Sequence, residues 1–138
     1  MSALRYLLDT NIVSAVVKQP DCEPARRLAA MPKDTFAISI VVAAELRYGA
    51  ILKASPKLSR QVEAVLEGID IFPMEEPVNW HYGRIRAELA RLGQPIGQND
   101  LFIAAHACAL GLVLVTDNVR EFARVPELAV ENWLAGPG

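Results

Sequence analysis

Cysteine is scarce in this chain: Cys22 and Cys108 are the two in 138 residues. They lie far apart, with no second Cys or His at metal-ligand spacing, so neither a disulfide framework nor a zinc knuckle is expected. Both read as free thiols of a reducing compartment, Cys108 as a small core residue. Histidine is equally sparse, and no Ser or Cys nucleophile is placed to use His81 or His106, which leaves a Ser-His-Asp hydrolase without a motif. A Gly-rich phosphate loop is missing as well. The longest apolar stretch, residues 101–115, is interrupted by His106 and Gly111 and falls short of the ~20 residues that span a bilayer. The segment Met1–Asp9 lacks the apolar core and small-residue cleavage site of a signal peptide. A cytoplasmic protein without a membrane segment is therefore expected. Excess charge of one sign is also lacking: 14 basic against 16 acidic residues give a net charge of −2. That weighs against a protein that coats nucleic acid. It leaves room for an enzyme that cuts nucleic acid, because clustered acids lower the net charge while basic residues gather elsewhere.

Apolar residues, by contrast, are plentiful. At 52% of the chain they suffice for one well-buried core, and the length suits a single domain over residues 1–138. No repeat, linker or low-complexity tract divides it, and the tail Ala135–Gly138 reads as frayed. Short apolar runs at Leu4–Leu8, Phe36–Ile40, Ile69–Phe72, Leu112–Val115 and near Leu128–Val130 read as strands. Between them, Asn11–Lys18, Asp21–Met31, Val42–Leu52, Pro56–Glu67, Glu76–Leu92 and Asn99–Leu110 read as helices, with a short helical turn at Arg120–Phe122. Ser55 is the expected N-cap of the fourth helix. Val78, Tyr82, Ile85, Leu89 and Leu92 recur at spacings of four and three, which predicts one core-facing stripe closed by Gly93 as C-cap. Asn99–Leu110 is apolar nearly all round, as a central buried helix must be. Strands alternating with helices predict an α/β fold, a central parallel β-sheet flanked by helices on both faces.

Four acids fall where such a fold gathers ligands, outside the carboxyl ends of its strands. Asp9 follows the first strand directly, and Asp117 the fourth. Glu45 lies one helical turn beyond the second strand, and Asp100 sits in the first turn of the buried helix. Each has a plain structural alternative. Asp9 could serve as an N-cap, Asp100 could complement a helix dipole, Glu45 could face solvent, and Asp117-Asn118 could form a turn. Their joint placement is what points to a site. Four converging carboxylates repel one another unless a cation neutralises them. Oxygen-only ligands select Mg²⁺, with Mn²⁺ as substitute, over zinc. Such a site suits hydrolysis of a phosphodiester by a metal-activated water.

In combination and order, the residues resemble the PIN-domain ribonucleases, and within them the VapC toxins of VapBC toxin–antitoxin pairs. The marks are L-L-D-T-N-I at 7–12, A-E-L-R-Y-G at 44–49, I-R-A-E-L-A-R-L-G at 85–93, I-G-Q-N-D-L-F-I-A-A-H-A at 96–107 and L-V-T-D-N-V-R-E-F at 114–122, followed by V-E-N-W at 130–133. The resemblance implies a PIN-like fold and a Mg²⁺-dependent endoribonuclease, with tRNA the family's commonest target. Asp9 and Asp100 would be the principal metal ligands, with Glu45 beside them. Many PIN domains carry the fourth acid two residues after the Thr, where this chain has Asn118. Either Asp117 reaches the metal through water, or Asn118 takes the position as a neutral ligand. Thr10 and Asn11 would orient the first Asp, and Thr116 would support the site. Gly97-Gln98 replaces the Gly-Pro that often precedes the third acid, a change in loop rigidity. The resemblance also implies a homodimer and a VapB-like antitoxin covering the active-site groove, for which residues 41–52 and 58–66 are the candidate surface.

RNA needs cationic contacts. Arg84 and Arg91, on one helical face with Glu88, and Arg120, beside Arg124 after the last acid, are the candidates. The alternative for the helical pair is a solvated face bridged to Glu88. Tyr48, Trp80 and Tyr82 are assigned to core packing or an interface before base stacking. Two rival functions stand beside the ribonuclease: a non-catalytic module whose acidic groove holds a basic peptide, and a DNA- or structure-specific PIN-like nuclease.

Overall fold

The computed structural model describes residues 3–134; the tail at 135–138, expected to fray, lies outside them. Five strands form one parallel sheet: β1 (Tyr6–Leu8), β2 (Phe36–Ser39), β3 (Asp70–Phe72), β4 (Val113–Val115) and β5 (Val130–Glu131), in the order β3-β2-β1-β4-β5. The three central strands are short apolar runs buried on both faces. Leu7, Leu8, Ala37, Ile38, Leu114 and Val115 are all fully enclosed, as a sheet covered on two sides requires. Parallel strands cannot be joined by hairpins, so helices make the crossovers. They are α1 (Thr10–Lys18), α2 (Glu23–Ala29), α3 (Ile40–Leu52), α4 (Pro56–Glu67), α5 (Val78–Arg91), α6 (Gln98–Leu110) and α7 (Val119–Phe122).

From β1 the chain winds outward through β2 to β3, then returns across the sheet to β4 and winds outward the other way. Because such crossovers are right-handed, reversing direction places the two groups of helices on opposite faces. The reversal falls between β1 and β4, paired from Tyr6↔Val113 to Leu8↔Val115. That is the switch point at which open α/β sheets bind ligands.

Local sequence accounts for the helix ends. Ser55 caps α4 by accepting the Leu58 N–H at 3.1 Å, and Pro56 takes the first helical position, where no donor is needed. Gly93 (φ 67°) closes α5: its own N–H reaches Ala90 O at 3.1 Å and the Gln94 N–H reaches Leu89 O at 2.9 Å. Glycine enters this left-handed conformation without a Cβ penalty. The closure comes one residue too soon for the expected stripe. Val78, Ile85 and Leu89 are buried, each burial contributing roughly 1.5–3 kcal/mol, and Tyr82 stacks on Phe102 with centroids 4.4 Å apart. Leu92, in the cap itself, turns outward and is 59% exposed.

Other departures are local. The second helix begins at Glu23 and not Asp21, after a Cys22 N-cap, with Pro24 in its opening turn. A short 3-10 turn at Lys33–Thr35 precedes β2. The last strand is Val130–Glu131, one step later than the apolar residues suggested, and is held by Thr116 N–H to Glu131 O at 2.9 Å. Tyr48 and Trp80 are 66% and 63% exposed, which removes them from the core. Cys108 is half-buried at the core margin, and no disulfide joins it to Cys22. No helix among the described residues is long and apolar enough to cross a membrane.

Candidate metal centre at the β1–β4 edge

Asp9 is the first residue beyond β1. It caps α1, its Oδ1 accepting the Thr10 N–H at 2.8 Å, so the plain structural role is real. It does not exhaust the residue. Its Oδ2 accepts the Thr116 hydroxyl at 2.7 Å, across the sheet from the end of β4, and the Asn11 amide at 3.4 Å. Thr116 is fully buried and Asp9 nearly so. A carboxylate withdrawn from water resists ionisation. Burial raises Asp9 above the ordinary aspartate value, Thr116 and Thr10 pull it back, and repulsion from Glu45 and Glu121 raises it again.

The remaining acids approach from three directions. Glu45, on α3, accepts the Thr10 hydroxyl at 2.6 Å on Oε1 and the Asn99 amide at 3.4 Å on Oε2. Asp100 stands in the first turn of α6. Burial, then repulsion from Glu121 and Asp9, a hydrogen bond to Glu121 and repulsion from Glu45 push its pKa up to about 7. Glu121, on α7, accepts the Gly97 N–H at 3.0 Å and the Asn118 amide at 2.6 Å. Burial works to raise Glu121. Those two donors, the hydrogen bond from Asp100 and the Arg124 guanidinium outweigh it and hold it below the usual glutamate range.

The fourth acid of the cluster is therefore Glu121 and not Asp117. Asp117 is exposed and turned away. Its Oδ1 accepts the Asn132 amide at 3.2 Å, and its N–H donates to Asn11 Oδ1 at 3.0 Å. Asn118 meets the cluster indirectly, its side-chain amide donating to Glu121 at 2.6 Å and its N–H to the Thr116 hydroxyl at 2.9 Å. The sequence disguises Glu121: Asn118 and Glu121 are spaced as N-cap and N3 of a capping box, and while Oε2 does turn back to the Asn118 side chain, Oε1 reaches across to Gly97.

The arginines divide. Arg84 is committed elsewhere: it lies 3.6 Å from Glu127, not paired to Glu88, and 5.4 Å from the Trp80 ring centroid, and it contacts His81 Nδ1 at 3.2 Å. Arg91 and Arg120 are exposed, with no carboxylate partner among the described residues. Arg124 hydrogen-bonds to Pro95 O at 3.0 Å and is near enough to Glu121 to lower its pKa.

The donor set is all oxygen, which suits a hard divalent ion. Among the described residues no three Asp, Glu, His or Cys side chains are gathered closely enough to hold an ion between them as they stand. Mg²⁺ does not need three, because it keeps most of its waters and binds through one or two carboxylates. The raised Asp100 is the observation that fits: burial first, and then the crowding of Glu121, Asp9 and Glu45, disfavours its charge, and a bound cation would offset both. Access is open too. A Cβ at Gly97 would lie 3.7 Å from Asp100 Oδ2 and 4.0 Å from Glu121 Oε1, so glycine keeps side-chain bulk off both carboxyls.

A second feature adjoins the cluster. The expected partner-binding segments form α3 and α4, and between them and α1 runs a groove of about 230 Å³. It is lined by Val17, Leu46, Ala50, Leu58 and Val62 and ends at Thr10 and Glu45.

Residues 6–128 match the family model described as the PIN domain. The chain is 41% identical over 131 residues to Ribonuclease VapC2 of Rickettsia felis, covering 93% of this chain and 97% of that protein. It is 39% identical over 131 residues to the tRNA(fMet)-specific endonuclease VapC of Shigella flexneri, covering 94% and 98%. Among solved structures, VapBC2 from Rickettsia felis bound to a DNA fragment from their promoter superposes with a TM-score of 0.86 at 36% identity, over 94% of this chain and 99% of that one.

Proposed function

The chain belongs to the PIN-domain family and, within it, to the VapC ribonucleases, and from that membership we propose that it is the metal-dependent endoribonuclease toxin of a VapBC-type pair. Its substrate is RNA, with tRNA the favoured class, as the name of the Shigella flexneri relative supports. It works as a single PIN unit in the cytoplasm, where its substrate is found. The observation that carries the reading is Asp100, a carboxyl held near pKa 7 by burial and the crowding of Glu121, Asp9 and Glu45.

Asp9 and Asp100 hold Mg²⁺, or Mn²⁺ in its place. A divalent ion there would supply charge neutralisation for the carboxylates and the substrate phosphate and would acidify a water for attack on phosphorus. Thr116 and the Thr10 N–H fix the Asp9 carboxylate at both oxygens. Thr10 and Asn99 set the direction of Glu45, which orients the attacking water. Glu121, anchored by Gly97 and Asn118, faces Asp100 and completes the acidic pocket. The first turn of α6, whose N-cap Gly97 supplies no capping side chain, presents its positive end to the phosphate. Arg91, Arg120 and Arg124 contribute contacts to the RNA backbone.

The cognate antitoxin lays a segment along the groove between α1, α3 and α4 and so covers Glu45. The names of the neighbouring VapBC structures support such a partner. The toxin itself forms a homodimer within the complex.

The test is cleavage of total cellular RNA by purified, antitoxin-free protein with Mg²⁺ or with EDTA, beside Asp100→Asn. Discrete fragments that need metal and vanish in the variant support the reading. A folded, partner-free protein that cuts nothing in Mg²⁺ or Mn²⁺ overturns it.

A further inference from the structure

Beside the carboxylates, between α5 and the loop that enters α6, opens a cavity of about 370 Å³. That is within the range of roughly 300–1,000 Å³ typical of small-molecule sites. Leu89, Ile96 and Leu101 form its floor, all buried, and Arg86, Pro95 and Gln98 its rim, all exposed. Ile96 and Gln98 of the lining flank Gly97, whose N–H donates to Glu121 at 3.0 Å, so cavity and acidic cluster adjoin through the entrance to α6, on different faces of its first turn.

Arg86 is held in place by a neighbouring aromatic ring. Its Nη1 donates to the Tyr82 hydroxyl at 2.9 Å, and its guanidinium lies 5.9 Å from the centroid of the Tyr82 ring. That ring is fixed in turn by stacking on Phe102 at an interplanar angle of 23°. Among the described residues Arg86 has no carboxylate partner. On the other side of the loop, Arg124 grips Pro95 O. The segment between α5 and α6 is thus bracketed by two guanidiniums next to the site where a phosphodiester would be held.

An apolar floor rejects the phosphate itself, since burying an unpaired anion is costly. A purely apolar occupant would leave Arg86 and Gln98 unused. A planar, amphipathic group attached to a phosphate satisfies all three features. Arginine planes stack on unpaired bases, and side-chain amides read their edges. We propose that this cavity is a nucleobase subsite, which takes an unstacked base next to the cleaved phosphate of RNA. Arg86 covers its face, and Gln98 reads its edge. The inference rests on the ribonuclease reading above and adds to it the origin of sequence preference.

Two variants test it. Ala90→Trp, at an exposed position on the cavity wall, fills the space, and Gln98→Leu removes the reading amide. Both are compared with the unaltered protein by mapping the ends of fragments cut from total cellular RNA and by kcat/KM on the RNA cut best. The thermal shift given by Mn²⁺ reports separately on the acidic cluster. Ala90→Trp is expected to lose about tenfold or more in kcat/KM. Gln98→Leu should flatten the base frequencies at one position adjoining the cut, and the Mn²⁺ shift should persist in both. Unchanged rate and unchanged base frequencies overturn the subsite while leaving the ribonuclease intact. A variant that cuts normally but no longer binds its antitoxin assigns the cavity to the protein partner and likewise overturns it. If the unaltered protein cuts no RNA, the ribonuclease reading fails and the subsite with it.

Discussion

The carboxyl of Asp100 and the carboxylate of Glu121 face each other across the entrance to α6, joined by a hydrogen bond that keeps the proton on Asp100 and the charge on Glu121. One is pushed up and the other held down, so near neutral pH the pair carries less negative charge than two isolated acids would. A divalent cation bound nearby would favour the ionised form of both.

The pair has a consequence for stability. The folded pKa of Asp100, about 7, lies above its ordinary value of 3.8. As pH rises between those values, the unfolded chain has already released this proton while the folded chain keeps it, so folding loses stability across that window. In EDTA, the melting temperature should therefore fall between about pH 4 and pH 7.5. Asp100→Asn, which cannot ionise, should flatten the profile and raise stability at neutral pH by roughly 1–2 kcal/mol, after discounting for partial exposure. Melts of the two proteins at about pH 5 and pH 8 check this, and equal slopes would refute it.

Metal should act as a ligand of the folded state. Millimolar Mn²⁺ or Mg²⁺ is expected to raise the melting temperature at neutral pH, and Asp9→Asn to abolish the rise. A variant that still responds fully would place the ion elsewhere.

Glu121 and Asp117 make opposite predictions although four residues apart. Glu121→Gln should reduce metal-dependent RNA cleavage by tenfold or more, on the order of 1.4 kcal/mol of transition-state stabilisation. Asp117→Asn keeps a side chain that fits beside Asn132 and should change cleavage by less than about threefold. Initial rates on one RNA substrate decide, and the reverse order would restore Asp117 to the site.

Thr116 is a fully buried hydroxyl that donates to Asp9 and accepts from Asn118. Thr116→Val keeps the shape and leaves Asp9, Asn118 and the Asn11 amide, which also donates to this hydroxyl at 3.4 Å, each short of a bond, at a cost of about 1–3 kcal/mol. Chemical denaturation should show that loss with an unchanged dependence on denaturant. A smaller loss in metal would follow if the ion replaces the hydroxyl as the neighbour of Asp9.

Much of this arrangement was legible in the residues. Asp9 and Asp100 stand at element boundaries that local rules mark strongly, a strand end followed by a helix cap and the first turn of an apolar helix. Glu45 followed from its offset after β2. Glu121 was hidden because its spacing from Asn118 reads as a capping box, and only the approach of Gly97, brought near by the α6 entrance, shows that one of its oxygens also reaches beyond its own helix. Leu92 departs from its pattern for a related reason: periodicity counts it into the stripe, and the Gly93 turn takes it out. Arg84 satisfied the sequence criterion of charge on an open face. Its partners Trp80, His81 and Glu127 include one more than forty residues away, a contact that no local pattern encodes.

The reversal of the sheet between β1 and β4 also sets a time at which activity can begin. Asp9 is made early and Glu121 late, and the Thr116 hydroxyl that secures Asp9 arrives only with the end of β4. A growing chain therefore carries its first carboxylate through most of synthesis without the partners that position it. Contacts of such long sequence separation close late, so the acidic cluster is assembled only once β4 has paired with β1 and α7 has followed it.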